Sequence, residues 1–507
     1  MKKTKKLLAF LLAMVMVLAM GMTAMAASET TYKITIDNSK GGHIYEVYQI
    51  FTGDLSKDAN GKLILSNVDW GNGVKKEELL AALNNAWKTS YTTAAQVADH
   101  VKDFQDNSTD AVDFSKIVAA YLTPDPTAKT PVGANNYEIS GLKAGYYLVK
   151  DEKGALSPDA DDAYTAYILK VVEDITVTPK SSTSSVEKKV KDINDTTDTT
   201  PGEWQDSADY DIGDDVPFQL TATLGDTVSD YTTYKIVFRD KLSSGLTYNE
   251  NATVKLGDTD ITNFFTITYN KNTNLLTVSC DDVKAANIGA GNGSKIVVEY
   301  TAKLNDDAIV GDGGNSNTVT LEYSNNPNDT TTGSTTGDKV TVFTYKVVIN
   351  KKDGTGNSLT GAEFTLKKLL KNGTEIVIDA TKNEEGTEFT FNGLDDGTYK
   401  LTETVTPSGY NTIDPITFTI SANHDEESDN PQLTVISGAK TSDSEGDITL
   451  TATLSEGKLA ADVVNESGAI LPSTGGIGTT MFYVIGGALV LVAVVLLVTR
   501  KRMSVEK

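Results

Sequence analysis

Between residues 28 and 467 the apolar positions come in short runs of β-branched and aromatic residues, separated by Gly, Asn and Asp turns. That alternation predicts strands, and their number predicts a mainly β chain. The first runs are Tyr32–Ile36 and Ile44–Phe51. Leu79, Leu80 and Leu83 follow at helical spacing, and Ala94–Phe104 and Phe114–Tyr121 also read as helices. Strands resume at Tyr137–Ile139, Gly145–Val149 and Tyr164–Val172. This first segment, 28–180, is a β-domain with helical insertions. Ser181–Ser185 carries no apolar residue and reads as a linker.

A second segment, 186–341, opens with Val186–Val190. Further strands are expected at Val216–Leu224, Tyr234–Phe238, Thr266–Tyr269, Leu275–Ser279, Lys295–Leu304 and Asn317–Tyr323. About seven strands with long loops suggest an Ig-like sandwich. The third segment, 342–467, has runs at Tyr345–Lys351, Ala362–Leu366, Glu388–Phe391, Gly397–Glu403, Thr417–Ile420, Leu433–Ile436 and Ala460–Val464. The whole reads as three tandem β-sandwiches.

The two ends break the pattern. Lys2, Lys3, Lys5 and Lys6 precede an apolar run, Leu7–Met20, and small residues at Ala24, Ala26 and Ala27. This is the layout of a secretory signal peptide, 1–27. At the other end, Leu471-Pro472-Ser473-Thr474-Gly475 is followed by an uncharged apolar run, 481–499, and by the basic tail 500–507. The run is just long enough to cross a bilayer, with its basic flank on the cytoplasmic side.

Composition narrows the reading. The formal charge of −24 becomes about −31 once the four leader lysines and the net +3 beyond Thr474 are removed. An acidic ectodomain argues against nucleic acid or anionic lipid as partner. Cys280 is the single cysteine, so this exported chain has no internal disulfide and needs large cores or another cross-link. His43, His100 and His424 are scattered and read as surface or loop residues. The clusters Asp159–Asp162 and Asp209–Asp215 lack the spacing of a calcium loop and read as surface loops, so no metal and no cofactor are expected.

The order LPSTG, apolar helix, basic tail resembles the sorting signal of Gram-positive surface proteins. The resemblance implies sortase cleavage between Thr474 and Gly475 and transfer of the Thr474 carbonyl to an amine. In the third segment, Tyr399–Tyr410 matches YxLxETxxPxGY, and Leu359–Phe364 matches L-x-GAxF. Both resemble the CnaB-type, or prealbumin-like, domains of Gram-positive pilins. Those domains form an intramolecular isopeptide bond, and the matching residues are Lys351, Asn465 and the acid Glu403. Strand parity independently puts Lys351 on the face of Val347 and Ile349.

The second segment resembles the isopeptide-forming middle domain of pilus backbone subunits, through Val186–Val190, Asp211–Val216, Phe238–Leu246 and Asn317–Thr320. The resemblance implies Lys188, Asp240 and Asn317; parity prefers Lys188, with Lys189 left as an alternative. In such a set burial favours a neutral amine and a protonated acid. The amine attacks the Asn carbonyl, Asp240 or Glu403 shuttles the proton, and ammonia leaves. The chemistry is autocatalytic and single-turnover, so the chain is not expected to be an enzyme. The bond is expected to tie the first strand of each domain to the last. The first segment has Lys33 but no closing Asn, so no bond is expected there.

Val177-Thr178-Pro179-Lys180 resembles the pilin motif, with Thr178 where Tyr is usual, and implies Lys180 as the acceptor amine. The combined expectation is a pilus shaft subunit polymerised head-to-tail through Thr474 and Lys180 and anchored to peptidoglycan. Its partners would be sortase, identical subunits, accessory pilins and host surface ligands. The alternative is a wall-anchored adhesin or minor pilin.

Overall fold

The computed structural model describes residues 30–468, apart from 60, 62, 107, 135, 158, 159, 172 and 198–201, and the helix 477–503. The expected signal peptide and Leu471, Pro472, Thr474 and Gly475 lie outside the described residues.

The sheets fall into three successive groups, and the chain is mainly β, as its alternation implies. In the first, strands Leu63–Trp70, Tyr45–Lys57, Gly145–Asp151 and Ile168–Val171 lie in that order, all antiparallel. A second sheet orders Tyr137–Leu142, Tyr32–Ile36 and Ile175–Val177. Residues 45–51 of the central strand are buried without alternation. Tyr45 and Val47 pack against Ile34, Ile36 and Tyr137 of the small sheet. Ile50 and Phe51 pack against Leu79, Leu83, Val97 and Phe114 of three helices, Lys76–Trp87, Ala94–Val101 and Thr109–Ala120. A register shift between Gln49 and Phe51 lets one strand serve both cores.

The second group is a sandwich of two seven-stranded sheets. Asp215–Thr223 and Lys295–Leu304 alternate buried and part-exposed residues along their length, as a half-covered sheet requires. The third is a sandwich of two five-stranded sheets, in which Tyr345–Asp353 and Lys458–Asn465 are parallel neighbours.

Several expectations need correction. Strand character begins at Ile168, not Tyr164, because the Tyr164 amide donates to Asn325 of the second domain. Ser181–Ser185 is not a solvated linker: Ser184 is buried, its hydroxyl 2.8 Å from that of Tyr234. Strand Asp338–Phe343 runs through the expected boundary at 341/342, with Val342 in the second core and Phe343 in the third. His43 and the side chain of His424 are buried, as are Asp162 and Asp209 of the supposed surface loops. Among the described residues one helix, Ile477–Met503, contains a span long and apolar enough to cross a membrane, Met481–Arg502.

Candidate functional site

Strand Ser185–Lys191 lies against Asp215–Thr223, with Lys188 opposite Leu220 and Val190 opposite Phe218. This register turns Lys188 into the sandwich, where it is fully buried, while Lys189 turns out to an ion pair with Asp206 at 2.6 Å. The facing sheet supplies Asp240, opposite Val319, and Asn317, opposite Leu242. Both are fully buried. The Lys188 amine donates to Asp240 Oδ1 at 2.7 Å and to the Tyr300 hydroxyl at 3.2 Å. That hydroxyl donates to Asp240 Oδ2 and accepts from Asn317 Nδ2 at 2.7 Å. The Asn317 carbonyl oxygen has no hydrogen-bond partner among the described residues. Burial pushes the Lys188 ammonium below its ordinary pKa, against the opposing pull of Asp240. It raises the Tyr300 phenol far above its own, with Asp240 adding to the effect. Asn317 is not on the last strand, since Thr332–Ser334 and Asp338–Phe343 follow it. Lys188 and Asn317 instead stand on opposite sheets, so a bond between them would staple the sandwich through its core.

Tyr300 was not legible as a site residue. It occupies an inward position of an alternating strand, where an aromatic reads as core filling. Phe218 is similar: its ring centroid lies 5.1 Å from the Lys188 amine.

In the third domain the parallel register sets Lys351 beside Val463 and Asp353 beside Asn465. Lys351 and Asn465 are fully buried and Glu403 nearly so. The Lys351 amine donates to the backbone carbonyls of Lys352 at 2.8 Å and Val463 at 3.1 Å, rather than to Glu403. Burial lowers its pKa, and Glu403 partly opposes this. Asn465 Nδ2 donates to Glu403 Oε2 at 2.9 Å and to the Asn411 carbonyl at 2.7 Å. Glu403 Oε1 and Asn465 Oδ1 have no hydrogen-bond partner among the described residues. The loop after Glu403 folds back over it. Gly409, at φ +85°, lets the Tyr410 amide reach the Pro407 carbonyl, and Thr406 and Ile413 then donate to Glu403 Oε2 at 3.2 Å. The ETxxPxGY stretch is thus the frame of the carboxyl.

Lys33 is part-exposed and paired with Glu138 at 2.9 Å, so the first domain brings no buried lysine to its opening strand. Lys180 is held by its backbone: its amide donates to Thr165 Oγ1 at 2.8 Å and its carbonyl accepts from the Ala166 amide at 2.9 Å. The residue is half-buried at the edge of a cleft of about 290 Å³ lined by Phe104, Phe114, Tyr146 and Tyr167. Burial lowers the pKa of its ammonium. Among the described residues, three carboxylate-containing groups stand close enough to hold a cation, and none includes Asp240 or Glu403.

Residues 212–327 match the model of the Gram-positive pilin backbone subunit 2, Cna-B-like domain, and residues 345–434 that of the prealbumin-like fold domain. The second and third domains are thus similar to domains of Gram-positive backbone pilins. The chain is similar to the trypsin-resistant surface T6 protein of Streptococcus pyogenes serotype M6, 27% identical over 263 residues. That match covers 40% of this chain and 48% of the relative, so the chain spans about half the length of the curated protein it matches. The fold is similar to that of the T6 backbone pilin of serotype M6 S. pyogenes, with a TM-score of 0.55 and 17% identity, over 87% of this chain and all of that one. The full-length major pilin SpaD of Corynebacterium diphtheriae aligns at a TM-score of 0.48 and 17% identity, over 87% and 98% of the two chains.

Proposed function

We propose that this chain is the shaft subunit of a sortase-assembled pilus and carries two internal isopeptide bonds, Lys188–Asn317 and Lys351–Asn465. In each centre the neutral lysine amine attacks the asparagine Cγ, forming the new C–N bond. The carboxyl group, Asp240 or Glu403, polarises the carbonyl, takes the proton of the attacking amine and delivers it to the leaving nitrogen. The Cγ–Nδ2 bond breaks and ammonia departs. The burial that lowers the pKa of both lysines favours the nucleophilic form. Tyr300 positions the second-domain centre, bonding lysine, acid and amide at one oxygen.

Polymerisation would join Thr474 of one subunit to Lys180 of the next. A sortase thiol displaces Gly475 to give a Thr474 thioester, and the Lys180 amine displaces the thiol. The observation that favours a shaft over a wall-anchored monomer is the placement of Lys180. Its backbone is fixed, its ammonium is weakened by burial, and it borders an aromatic cleft at the end of the first domain. Each subunit then offers its electrophile at one end and its amine elsewhere, a heterologous contact that gives an open fibre.

The test is Lys180→Ala in the native host, with wall extracts run on a denaturing gel. A high-mass ladder in wild type that collapses to monomer in the variant supports the joint. A persisting ladder removes Lys180, and no ladder in wild type removes the shaft reading.

A further inference from the structure

Between strands Gly145–Asp151 and Ile168–Val171 the first domain lays a strap against the second. Asp162, Ala163, Tyr164 and Thr165 belong to no helix or strand, yet all four are buried. Buried backbone without secondary structure needs its hydrogen-bond partners from elsewhere. The loop after strand Asn315–Ser324 of the second domain supplies them. The Tyr164 amide donates to the Asn325 carbonyl at 2.8 Å, and Asn325 Nδ2 donates to the Asp162 carbonyl at 3.0 Å. Asn328 Nδ2 donates to the Thr165 carbonyl at 2.9 Å. From the first domain, Asp151 Oδ2 accepts from the Thr165 amide at 2.6 Å.

The same strap holds Lys180, whose amide bonds Thr165 Oγ1 and whose carbonyl bonds the Ala166 amide. The first domain's own sheet does not reach this far, because the pairing of Tyr32–Ile36 with Ile175–Val177 ends at Val177. Just beyond the lysine the second domain closes on the chain again. The Asp226 amide donates to Ser182 Oγ at 3.0 Å, and the Gly225 amide donates to Ser184 Oγ at 3.2 Å. A Cβ on Gly225 would stand 2.9 Å from the Ser182 carbonyl oxygen, so the two backbones meet closely. The strap also runs straight into Tyr167, Ile168 and Leu169, one wall of the cleft beside Lys180. Lys180 is therefore bracketed by two clamps, and the second domain supplies a part of each.

We propose that the second domain sets the position of the acceptor lysine, and that Asn328 is a positioning residue for the joining reaction, acting on Lys180 through Thr165. This rests on the reading of Lys180 as the joint. An amine attacks a thioester fast only when its reach and direction are fixed, so a loosened strap slows the reaction without touching the reacting atoms. The arrangement also ties assembly to folding. A subunit whose second domain has not folded and docked presents Lys180 on a slack chain and is a poor acceptor, so finished subunits are added in preference to unfinished ones.

The test is Asn328→Ala, made beside Lys180→Ala in the native host. The ratio of polymer to monomer in wall extracts should fall about fivefold in Asn328→Ala, the factor that one hydrogen bond is worth. Asn328 is part-exposed, so this variant should keep the second-domain Tm of wild type. A second measurement needs no sortase: trace acetic anhydride labelling of the full chain in detergent, with the Lys180 peptide followed by mass spectrometry as pH rises. Burial holds the Lys180 ammonium below the ordinary lysine range, and the charged groups that bear on it are Asp106, Lys170 and Asp230. Asn328→Ala alters none of these, so a labelling midpoint that moves up toward the ordinary range reports release of the lysine to water, which a general loss of stability would not produce. Thr165→Val, which removes the oxygen that the Lys180 amide bonds, should have both effects and carries the test if Asn328→Ala misfolds. A ladder that persists in Lys180→Ala removes the joint and the proposal with it. A ladder lost in Lys180→Ala but of wild-type strength in Asn328→Ala removes the positioning role alone, as does an unmoved labelling midpoint.

Discussion

Asn317→Ala removes the electrophile of the second-domain centre while leaving the Lys188–Asp240 pair, at 2.7 Å, in place. The loop that the bond would close, from Lys188 to Asn317, is about 130 residues long, and the chain-entropy relation assigns such a cross-link about 5 kcal/mol. Losing the hydrogen bond from Asn317 to Tyr300 adds about 1 kcal/mol. At about 2–4 °C per kcal/mol for a domain of this size, the second-domain Tm should fall by about 12–24 °C. Asp240→Ala should cost about 3–5 kcal/mol more, because it also strands a fully buried lysine without its partner. The assays are calorimetry and intact mass. Each variant should regain one ammonia beyond the mass change of the substitution. If the wild-type chain has its full unmodified mass, or if Asn317→Ala leaves Tm unchanged, the reasoning is refuted.

Glu403→Ala should likewise return one ammonia, and tryptic peptides containing Lys351 and Asn465 should then separate. A linked peptide persisting in that variant would show that Glu403 is dispensable. In the first domain, His43 bonds Asp151 at 2.8 Å and Asp162 at 3.2 Å. Burial lowers its pKa, but the two carboxylates outweigh this and raise it to about 9. Its stabilising effect is fully present below about pH 6.5 and is lost as pH rises through 9; it amounts to at most about 3 kcal/mol, since Asp151 is itself raised by burial. The Tm gap between wild type and His43→Gln should therefore be larger at pH 6 than at about pH 10, and an equal gap would contradict the assignment. Gly393 has φ +72°, and a Cβ there would stand 2.5 Å from the Ile212 side chain of the second domain. Gly393→Ala should cost about 2–4 kcal/mol and speed proteolysis between the two domains. An unchanged cleavage rate would mean that this contact yields freely.

The parts of the fold readable from sequence are those set by local period. Lys295–Leu304 alternates residue by residue, and its strand has the expected bounds. Short edge strands such as Trp204–Gln205 and Leu246–Tyr248 have no period of their own, because tertiary pairing with a longer strand creates them. Parity oriented Lys188 and Lys351, since a strand with one buried face fixes every second side chain. The burial of His43 and His424 is illegible for the opposite reason. The Asp151 partner of His43 lies 108 residues away, and the Ser207 partner of His424 lies 217 away. Nothing along the chain announces such pairs. The same holds for the carboxylates between the second and third domains, where Asp209 meets Asp395 and Asp396 only after two domains have folded and docked.

The joint between subunits is the claim on which the functional account turns. Wall material released from cells, digested with protease and sequenced by tandem mass spectrometry, tests it directly. The account predicts a branched peptide in which the Thr474 carbonyl is amide-bonded to the Lys180 side-chain nitrogen, with nothing from Gly475 onward attached. A polymer whose branch lies on another lysine, or wall material in which Thr474 is bonded only to peptidoglycan, would contradict it.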